Sequence, residues 1–301
     1  MDGSIIEHTP VLAGTLAEQI KLPSDGIMVD ATIGQGGHSL LLGRNLGPEA
    51  VIVGLDVDTN AVRRAQINLK ELTCRTIVIH SNFSQIKEQL YKHGIKKADL
   101  ILADLGVSSV QLADAEFGLS FRINMPLDMR IDKRLKRTAA DIVNKLDENS
   151  LADLIYKFGQ DRASRRIARF IVRQREIEPI KTTGQLAQIV CKAFAKTKRG
   201  RRSRIHPATR TFQALRIAVN DELENLKKLL ASAPDLLNIN GYIAVISFHS
   251  LEDRLVKSDF RQNGKSGIYR IVTKKPIVPT REEIKENRRA RSAKLRIAQK
   301  Q

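Results

Sequence analysis

The strongest chemical signal in the sequence is a glycine-rich loop, DATIGQGGHS at positions 30–39. It follows the apolar run 26–29 and precedes the apolar run 40–42, so it would connect a strand to a helix. Glycine permits positive φ and lets the backbone approach a ligand closely. The Gly-x-Gly-x-x-Gly spacing of dinucleotide folds is absent, so no pyrophosphate is expected. The loop is either a ligand-binding turn of another kind or a glycine-rich surface turn.

Further polar and aromatic candidates follow the next two apolar runs. Asp56 ends the run 51–56, and an acid at the end of a second strand can accept both ribose hydroxyls of an adenosine. Asp58 is a rival for this role, although it is also suited to cap the helix that follows. Phe83 comes after the third run, 76–80, and would either lie against an adenine or belong to the core.

Asp104 ends a fourth apolar run, 99–104, at the edge where open α/β sheets bind their ligands. An acid there would either accept the proton of an amine that is being methylated or hold an amine of the bound cofactor. The loop at 30–39 fits the acidic-x-x-x-Gly-x-Gly turn typical of S-adenosylmethionine-dependent methyltransferases. The Asp/Asn-Pro-Pro-aromatic motif of many amine-methylating enzymes is absent, because Leu105 and Gly106 follow Asp104.

These candidates need a sheet that brings the ends of their strands together. Short apolar runs alternate with amphipathic stretches over the first hundred residues, which favours βαβ units and a parallel, doubly wound sheet of the α/β class. The run 241–247 predicts another core strand. The segments 268–272 and 293–298 predict strands at the edge of the sheet.

The interval between the fourth strand and residue 241 is too long for a single crossover helix. Its helical patterns at 139–158, 162–176 and 183–195 predict an inserted helical domain. We therefore expect one sheet domain from 1–109 and 206–301 and one helical domain from 110–205. The segment 209–230 would be the helix that returns the chain to the sheet.

Positive charge dominates the composition and points to a polyanionic partner such as a nucleic acid. The 301 residues include 51 Lys and Arg against 33 Asp and Glu, a formal net charge of +18. Phosphate contacts are expected in the basic stretch 192–204, at Lys198, Arg199, Arg201, Arg202 and Arg204. The arginines of 162–175 form either a second contact or a solvated face. With 4% aromatic residues and no tryptophan, base stacking is expected to be a minor contribution.

Several other classes of protein and site are not expected. Two cysteines cannot form a disulfide scaffold, and neither His38 nor His206 has metal-ligand spacing to another residue. No apolar run is long enough to span a membrane, and the amino terminus does not resemble a secretory signal, so a cytoplasmic protein is expected. His249, Ser250 and Asp253 lack the Gly-x-Ser-x-Gly elbow of a hydrolase. Ser247 or Ser250 is instead expected to cap a helix that begins at Leu251.

Several long strings resemble the bacterial 16S ribosomal RNA (cytosine-N4)-methyltransferase family. They are DATIGQGGHS at 30–39, DLGVSSVQ at 104–111, PLDMR at 126–130, HPATRTFQALR at 206–216 and ISFHSLEDR at 246–254. The matches run from 8–12 to 290–296 and so cover almost the whole chain. Two departures are mild: GQDR at 159–162 replaces Gly-Glu-Glu-Arg, and Arg288 replaces the proline that usually follows Asn287.

The resemblance implies a class I methyltransferase domain interrupted by a helical domain for RNA and substrate recognition. It implies methylation of the N4 amine of a decoding-region cytosine, cytosine 1402 of 16S rRNA, with S-adenosylmethionine as methyl donor. The target base is expected to be flipped out or presented unstacked. Asp104 and His249 are the implied catalytic residues. The implied cofactor contacts are Gly34, Gly36, Gly37, His38, Asp56, Phe83, Asp104 and Gln111. A homodimer rests on the resemblance alone.

Two other functions use the same sequence features. The same cofactor fold would serve methylation of DNA or of a protein. An RNA-binding assembly factor would keep the basic segments with a pocket that no longer binds cofactor. The intact glycine turn and Asp104 argue against such a loss.

Overall fold

A computed structural model describes residues 10–194 and 205–301. The chain divides into two compact units, one formed by Met1–Gly106 with Leu223–Gln301 and the other by Val107–Glu222. Strands occur in the first unit and helices dominate the second. No helix in the described part of the chain has the length and apolar character needed to cross a membrane.

The first unit is built on one mixed sheet. Its strands are β1 (Ile27–Asp30), β2 (Val51–Asp56), β3 (Arg75–His80), β4 (Ala98–Asp104), β5 (Leu237–Ser247), β6 (Tyr269–Ile271) and β7 (Lys294–Lys300). They lie in the order β3-β2-β1-β4-β5-β7-β6. The pairs from β3 to β5 are parallel, whereas β7 is antiparallel to both β5 and β6. The predicted doubly wound α/β sheet is confirmed, and only β6 of the two carboxyl-terminal strands lies at an edge.

The central strands read as unbroken apolar runs because both faces of the sheet are covered. Val29, Val53 and Ile101 pack into one hydrophobic cluster, while Met28 and Ile52 pack into another. Neighbouring residues of one strand therefore enter different cores. The helices of this unit are α1 (Ala13–Gln19), α2 (Gly37–Gly43), α3 (Thr59–Asn68), α4 (Ile86–Lys92), α11 (Glu222–Leu236), α12 (Ser250–Lys265) and α13 (Arg281–Glu286).

The second unit has a hydrophobic core of its own, in which Ile142, Leu151, Ile167 and Leu186 are fully buried. Its helices are α5 (Ser109–Ala113), α6 (Ala139–Lys145), α7 (Glu148–Gly159), α8 (Ser164–Arg175), α9 (Thr183–Phe194) and α10 (Thr209–Asn220). The stretch predicted as one helix at 139–158 is divided, since Asp147 caps α7 by accepting from the backbone N–H groups of Asn149 and Ser150.

The predicted boundary at residue 206 is wrong, because the segment 206–222 belongs to the helical unit. The helix predicted over 209–230 is interrupted at Asp221, whose φ of 50° is left-handed and ends α10. Within the helical unit α10 packs closely on α7, since a Cβ added at Gly159 would lie 2.5 Å from the carbonyl oxygen of Arg210. The chain therefore returns to the sheet one helix later, through α11.

Candidate active site

The carboxyl ends of β1, β2, β4 and β5 meet at one edge of the sheet. Asp30 is in register with Gly54, and Asp104 is in register with Ile246. The backbone N–H of Ala31 donates to the carbonyl of Leu102, which extends the pairing just beyond β1. This edge, which we call the carboxylate edge, brings Asp30, Asp56 and Asp104 into one region, as the strand-end rule predicts.

The glycine loop turns over the end of β2. Gly34 and Gly36 have φ values of +52° and +86°, a conformation that favours glycine. The backbone N–H of Gly36 donates to the carbonyl of Ile33 at 2.7 Å, and that of Gly34 donates to Oδ2 of Asp56 at 2.9 Å. A Cβ added at Gly34 would have no neighbour closer than 4.0 Å. The outer side of the turn at Gly34 is therefore open to a ligand.

Gly37 and His38 have different surroundings from the open turn at Gly34. A Cβ at Gly37 would lie 2.8 Å from Cγ of Pro10, so this glycine makes room for the amino-terminal segment. His38 is buried on α2, where its Nε2 donates to the carbonyl of Val11 at 2.9 Å. Its Nδ1 lies 3.8 Å from Oδ2 of Asp104.

Asp56 is held by backbone donors and faces no cation in the contacts described. Its Oδ2 accepts from Gly34 and its Oδ1 accepts from the N–H of Asp58 at 2.9 Å. Burial raises the pKa of Asp56 to about 6, against the lowering effect of these two hydrogen bonds. Each carboxylate oxygen keeps a second lone pair that can accept from a hydroxyl.

Asp58 has the helix-capping role that the sequence offered as its alternative. Its side chain accepts from the backbone N–H groups of Asn60 and Ala61 and so caps α3. It is buried, with 8% of its surface exposed. Asp56 is therefore the better candidate of the two for ligand binding.

Asp30, at the start of the glycine loop, is occupied by contacts inside the protein. It is 1% exposed, its Oδ2 accepts from the Ser39 hydroxyl at 2.7 Å, and its Oδ1 accepts from the N–H of Thr32. Burial raises its pKa, against the opposing charge of His38. Asp30 thus fixes both ends of the loop, and its electrostatic interaction with Asp104 raises the pKa of Asp104.

Asp104 combines a fixed backbone with an unsatisfied side chain. Its N–H donates to Oγ1 of Thr32 at 2.6 Å, so Thr32 ties the end of β4 to the glycine loop. Within the described part of the chain, Oδ1 of Asp104 is buried and has no hydrogen-bond partner. Burial raises the pKa of Asp104 to about 6, and the carboxylates of Asp30 and Glu252 add to this rise while His38 opposes it. Such an acceptor is ready for an N–H or O–H donor from outside the chain.

His249 caps helix α12, in place of the predicted Ser247 or Ser250. Its Nδ1 accepts from the backbone N–H of Glu252, and Oε2 of Glu252 accepts from the backbone N–H groups of Phe248 and His249. Because Nδ1 is an acceptor, the neutral ring carries its hydrogen on Nε2, which lies 3.2 Å from Oε1 of Glu252. The ring in this arrangement has no lone pair left for a substrate proton.

Phe83 and Gln111, two of the predicted cofactor contacts, lie in different units of the protein. Phe83 is half-buried in a short 3₁₀ turn, Phe83–Gln85, just after β3, where it packs against the sheet core. Gln111 lies in the helical unit, where its side-chain oxygen accepts from the N–H of Ser108 and closes a capping box on α5. The predicted RNA contacts Lys198, Arg199, Arg201, Arg202 and Arg204 lie outside the described residues.

Thr32 and Glu252 are the residues whose part in this edge the sequence did not predict. Thr32 is two positions after Asp30 and carries no separate motif, and its bond to the backbone of β4 is a tertiary contact. Glu252 is recognisable only as a first-turn acid of α12. Its charge acts on Asp104 because β5 lies beside β4.

The sheet order and the acceptors at its carboxylate edge define a class I methyltransferase that uses S-adenosylmethionine. The chain belongs to the MraW methylase family, whose model matches residues 5–301.

Relatives match over nearly their whole length. The ribosomal RNA small subunit methyltransferase H of Clostridioides difficile (strain 630) is 43% identical over 308 residues, covering 97% of this chain and 98% of that protein. The protein of the same name from Koribacter versatilis (strain Ellin345) is 46% identical over 298 residues, covering 97% and 93%. Among solved structures, an rRNA methylase from Streptococcus thermophilus aligns with a TM-score of 0.45 at 11% identity, over 96% of this chain and 93% of that one.

The donor and acceptor set at the carboxylate edge fits S-adenosylmethionine. The cofactor offers ribose hydroxyls and an amine, all hydrogen-bond donors, and the edge offers carboxylate oxygens. The fit is clearest at Asp56, where each carboxylate oxygen accepts one backbone N–H and keeps a second acceptor site beside the open turn at Gly34.

Proposed function

We propose that this protein methylates the N4 amine of a cytosine in 16S rRNA, cytosine 1402 by family resemblance, with S-adenosylmethionine as methyl donor. Support comes from membership of a methylase family and from relatives named for the small ribosomal subunit. The net charge of +18 suits an RNA substrate. The observation that carries the proposed chemistry is the buried Oδ1 of Asp104 at the end of β4, which has no hydrogen-bond partner within residues 10–194 and 205–301.

The bound cofactor supplies an electrophilic methyl group, and the chain's own residues position the reactants. We assign Asp56 to the two ribose hydroxyls, since both of its oxygens keep an acceptor site beside the glycine turn. We assign Gly34 and Gly36 to the backbone wall of the pocket. Phe83 is assigned to the adenine. Gly37 and His38 contact the amino-terminal segment and support, from behind, the pocket wall that Gly34 and Gly36 form. Gln111 stays a predicted contact.

Asp104 is the proposed proton acceptor for N4. The lone pair of an exocyclic amine is delocalised into the ring, so an acceptor that holds one N–H localises the electron pair for transfer. A carboxylate with a pKa of about 6 is ionised at neutral pH and still basic enough to take up a proton. His249 is not assigned this step, because Nδ1 accepts from the backbone and Nε2 faces Glu252.

The helical unit is proposed to hold the rRNA, together with the basic segment that begins at Lys192. In this arrangement cations bind phosphates while the chemistry takes place at an edge that carries acids. The cytosine would be presented unstacked, because its amine is otherwise paired. We also propose that the protein acts in the cytoplasm, where ribosomal subunits are assembled.

The test is methylation of small ribosomal subunits that lack the modification, with a cofactor whose methyl group carries deuterium. Digestion to nucleosides and mass spectrometry should give labelled N4-methylcytidine. Label on cytosine C5 or on a ribose 2′-oxygen would contradict the N4 assignment. Label in DNA or protein, with none in the subunits, would contradict the proposed substrate.

A further inference from the structure

An exposed histidine ring in the helical unit is held on one face and at both nitrogens. His206 stacks on Phe121 with ring centroids 4.5 Å apart and an interplanar angle of 25°. Its Nδ1 accepts from the backbone N–H of Ala208 at 3.2 Å, and its Nε2 lies 3.7 Å from Sγ of Cys191. His206 is nevertheless exposed. Phe121 covers one face of the ring, so the opposite face is the one on which a further ring could stack.

Phe121 connects this ring to the core of the helical unit. It is half-buried and meets Phe212 edge to face, with centroids 4.9 Å apart at 73°. Phe212 is 5% exposed and belongs to the core. The three rings therefore form a connected aromatic cluster, with Phe212 in the core and His206 at the surface, and its contacts hold the surface ring before any ligand binds.

Cations flank the exposed ring along the chain. Lys192 is exposed and follows Cys191 on α9, and Arg210 is exposed on the first turn of α10. The segment 195–204, which ends two residues before His206, carries six basic residues and no acidic one in its sequence. An aromatic surface beside cations is the combination that binds single-stranded nucleic acid, in which bases stack and phosphates meet positive charge.

We propose that the Phe121–His206 pair is a stacking platform for one unpaired base of the RNA substrate. The inference rests on the proposed function, since it takes the substrate to be RNA, and it adds a base contact to the expected phosphate contacts. Stacking tolerates any base because every base has a π face. A sequence with few aromatic residues thus brings three rings together at a residue, His206, that closely follows the basic segment in sequence.

The experiment measures binding of the full-length protein to a fluorescein-labelled, single-stranded 12-nucleotide RNA by anisotropy. His206→Ala is expected to weaken binding by about tenfold, within the range of one lost base–aromatic stack. His206→Phe keeps a flat ring and should retain near wild-type affinity. His93→Ala is the matched control, because His93 is also exposed and lies in the sheet unit. Unchanged cofactor affinity shows that the sheet unit is folded in each variant, and an unchanged circular dichroism spectrum and melting temperature show the same for the helical unit.

Salt dependence separates stacking from a phosphate contact. The slope of log K against log salt concentration should be the same for wild type and His206→Ala, because no counterion-releasing contact is lost. An abasic nucleotide at the stacked position should weaken wild-type binding and leave His206→Ala binding unchanged. A shallower slope in His206→Ala, or equal weakening of both proteins by every abasic nucleotide, would overturn the stacking role.

The inference and the proposed function fail in distinguishable ways. If wild-type protein methylates small subunits and His206→Ala binds RNA and methylates subunits as wild type does, only the platform is refuted. If the wild-type protein binds no RNA and leaves the subunits unmethylated, the proposed substrate is refuted and the platform with it.

Discussion

Acidic side chains have opposite surroundings in the two units of this protein. At the carboxylate edge of the sheet unit, the carboxylate of Asp56 accepts from two backbone N–H groups, and Oδ1 of Asp104 has no hydrogen-bond partner among the described residues. Burial raises the pKa of each carboxyl to about 6. In the helical unit Asp128 is also partly buried, but two hydrogen bonds from the Arg130 side chain and the charge of Lys133 lower its pKa. Asp128 is paired with a cation inside the helical unit, whereas the two acids of the carboxylate edge have no such pairing in the contacts described, which suits the ligand-binding and proton-accepting roles proposed for them.

The largest effect of a substitution is expected at Asp104, and its absence would break the contrast between the two units. Asp104→Asn keeps the shape of the side chain but removes the proton acceptor, so the first-turnover rate of methyl transfer should fall by about 10²- to 10⁴-fold. Rapid-quench measurement with saturating cofactor and unmodified small subunits gives this rate. Asp25→Asn, a change of the same kind at an exposed position, should keep the wild-type rate. If Asp104→Asn instead weakens only cofactor binding, Asp104 holds the cofactor amine.

A smaller effect should separate Asp56 from its neighbour Asp58. Asp56→Ala removes two charge-assisted hydrogen bonds to the ribose and should weaken cofactor binding by roughly ten- to a hundredfold in calorimetry. Asp58→Ala removes a helix cap and should cost about 1 kcal/mol of unfolding free energy with little change in cofactor affinity. Equal loss of cofactor affinity in Asp56→Ala and Asp58→Ala would contradict the assignment of cofactor binding to Asp56 rather than Asp58.

Stability should change in opposite directions when the acids of the two units lose their charge. Asp128→Asn should lower the free energy of unfolding by about 2 kcal/mol at pH 7, since it weakens bonds to a charged guanidinium. The lowered pKa of Asp128 means that this stabilisation is present above the unfolded pKa of about 4 and is lost as the pH falls below it.

The raised pKa of Asp104 has the reverse consequence. Its protonated form is favoured in the folded protein, so its contribution to stability is present below pH 4 and is lost as the pH rises through about 6. Asp104→Asn should therefore be at least as stable as wild type at pH 7.5. Urea unfolding of both variants at pH 7.5 tests this contrast, and destabilisation of both would remove the difference between the units.

Much of the sheet unit was predictable because parallel strands buried on both faces leave unbroken apolar runs. The start of β5 was not, since Asn238 and Asn240 interrupt its apolar pattern although Leu237 pairs with Ala98. The end of α10 was missed for a related reason. A left-handed Asp221 stops the helix where the sequence has neither glycine nor proline.

The sequence predicts those residues of the candidate site that lie at the ends of strands. Asp56 and Asp104 follow from their positions after apolar runs. The hydrogen bond from the backbone of Asp104 to Thr32 joins segments that are distant in sequence, so residue spacing does not reveal it. The capping of α12 by His249 depends on a local side-chain rotamer, which spacing does not encode either. The aromatic cluster of Phe121, His206 and Phe212 joins two segments that are distant in sequence, so the low count of aromatic residues gave no sign of it.

The central claim is that Asp104 accepts the proton of the methylated amine. Its most direct test is the pH profile of the first-turnover rate in wild type and in Asp104→Asn. The wild-type rate should rise with pH and level off above about pH 7, because the carboxylate with a pKa of about 6 is then ionised. The variant should be slow and should lack that rise. A fast variant with the wild-type profile would contradict the account.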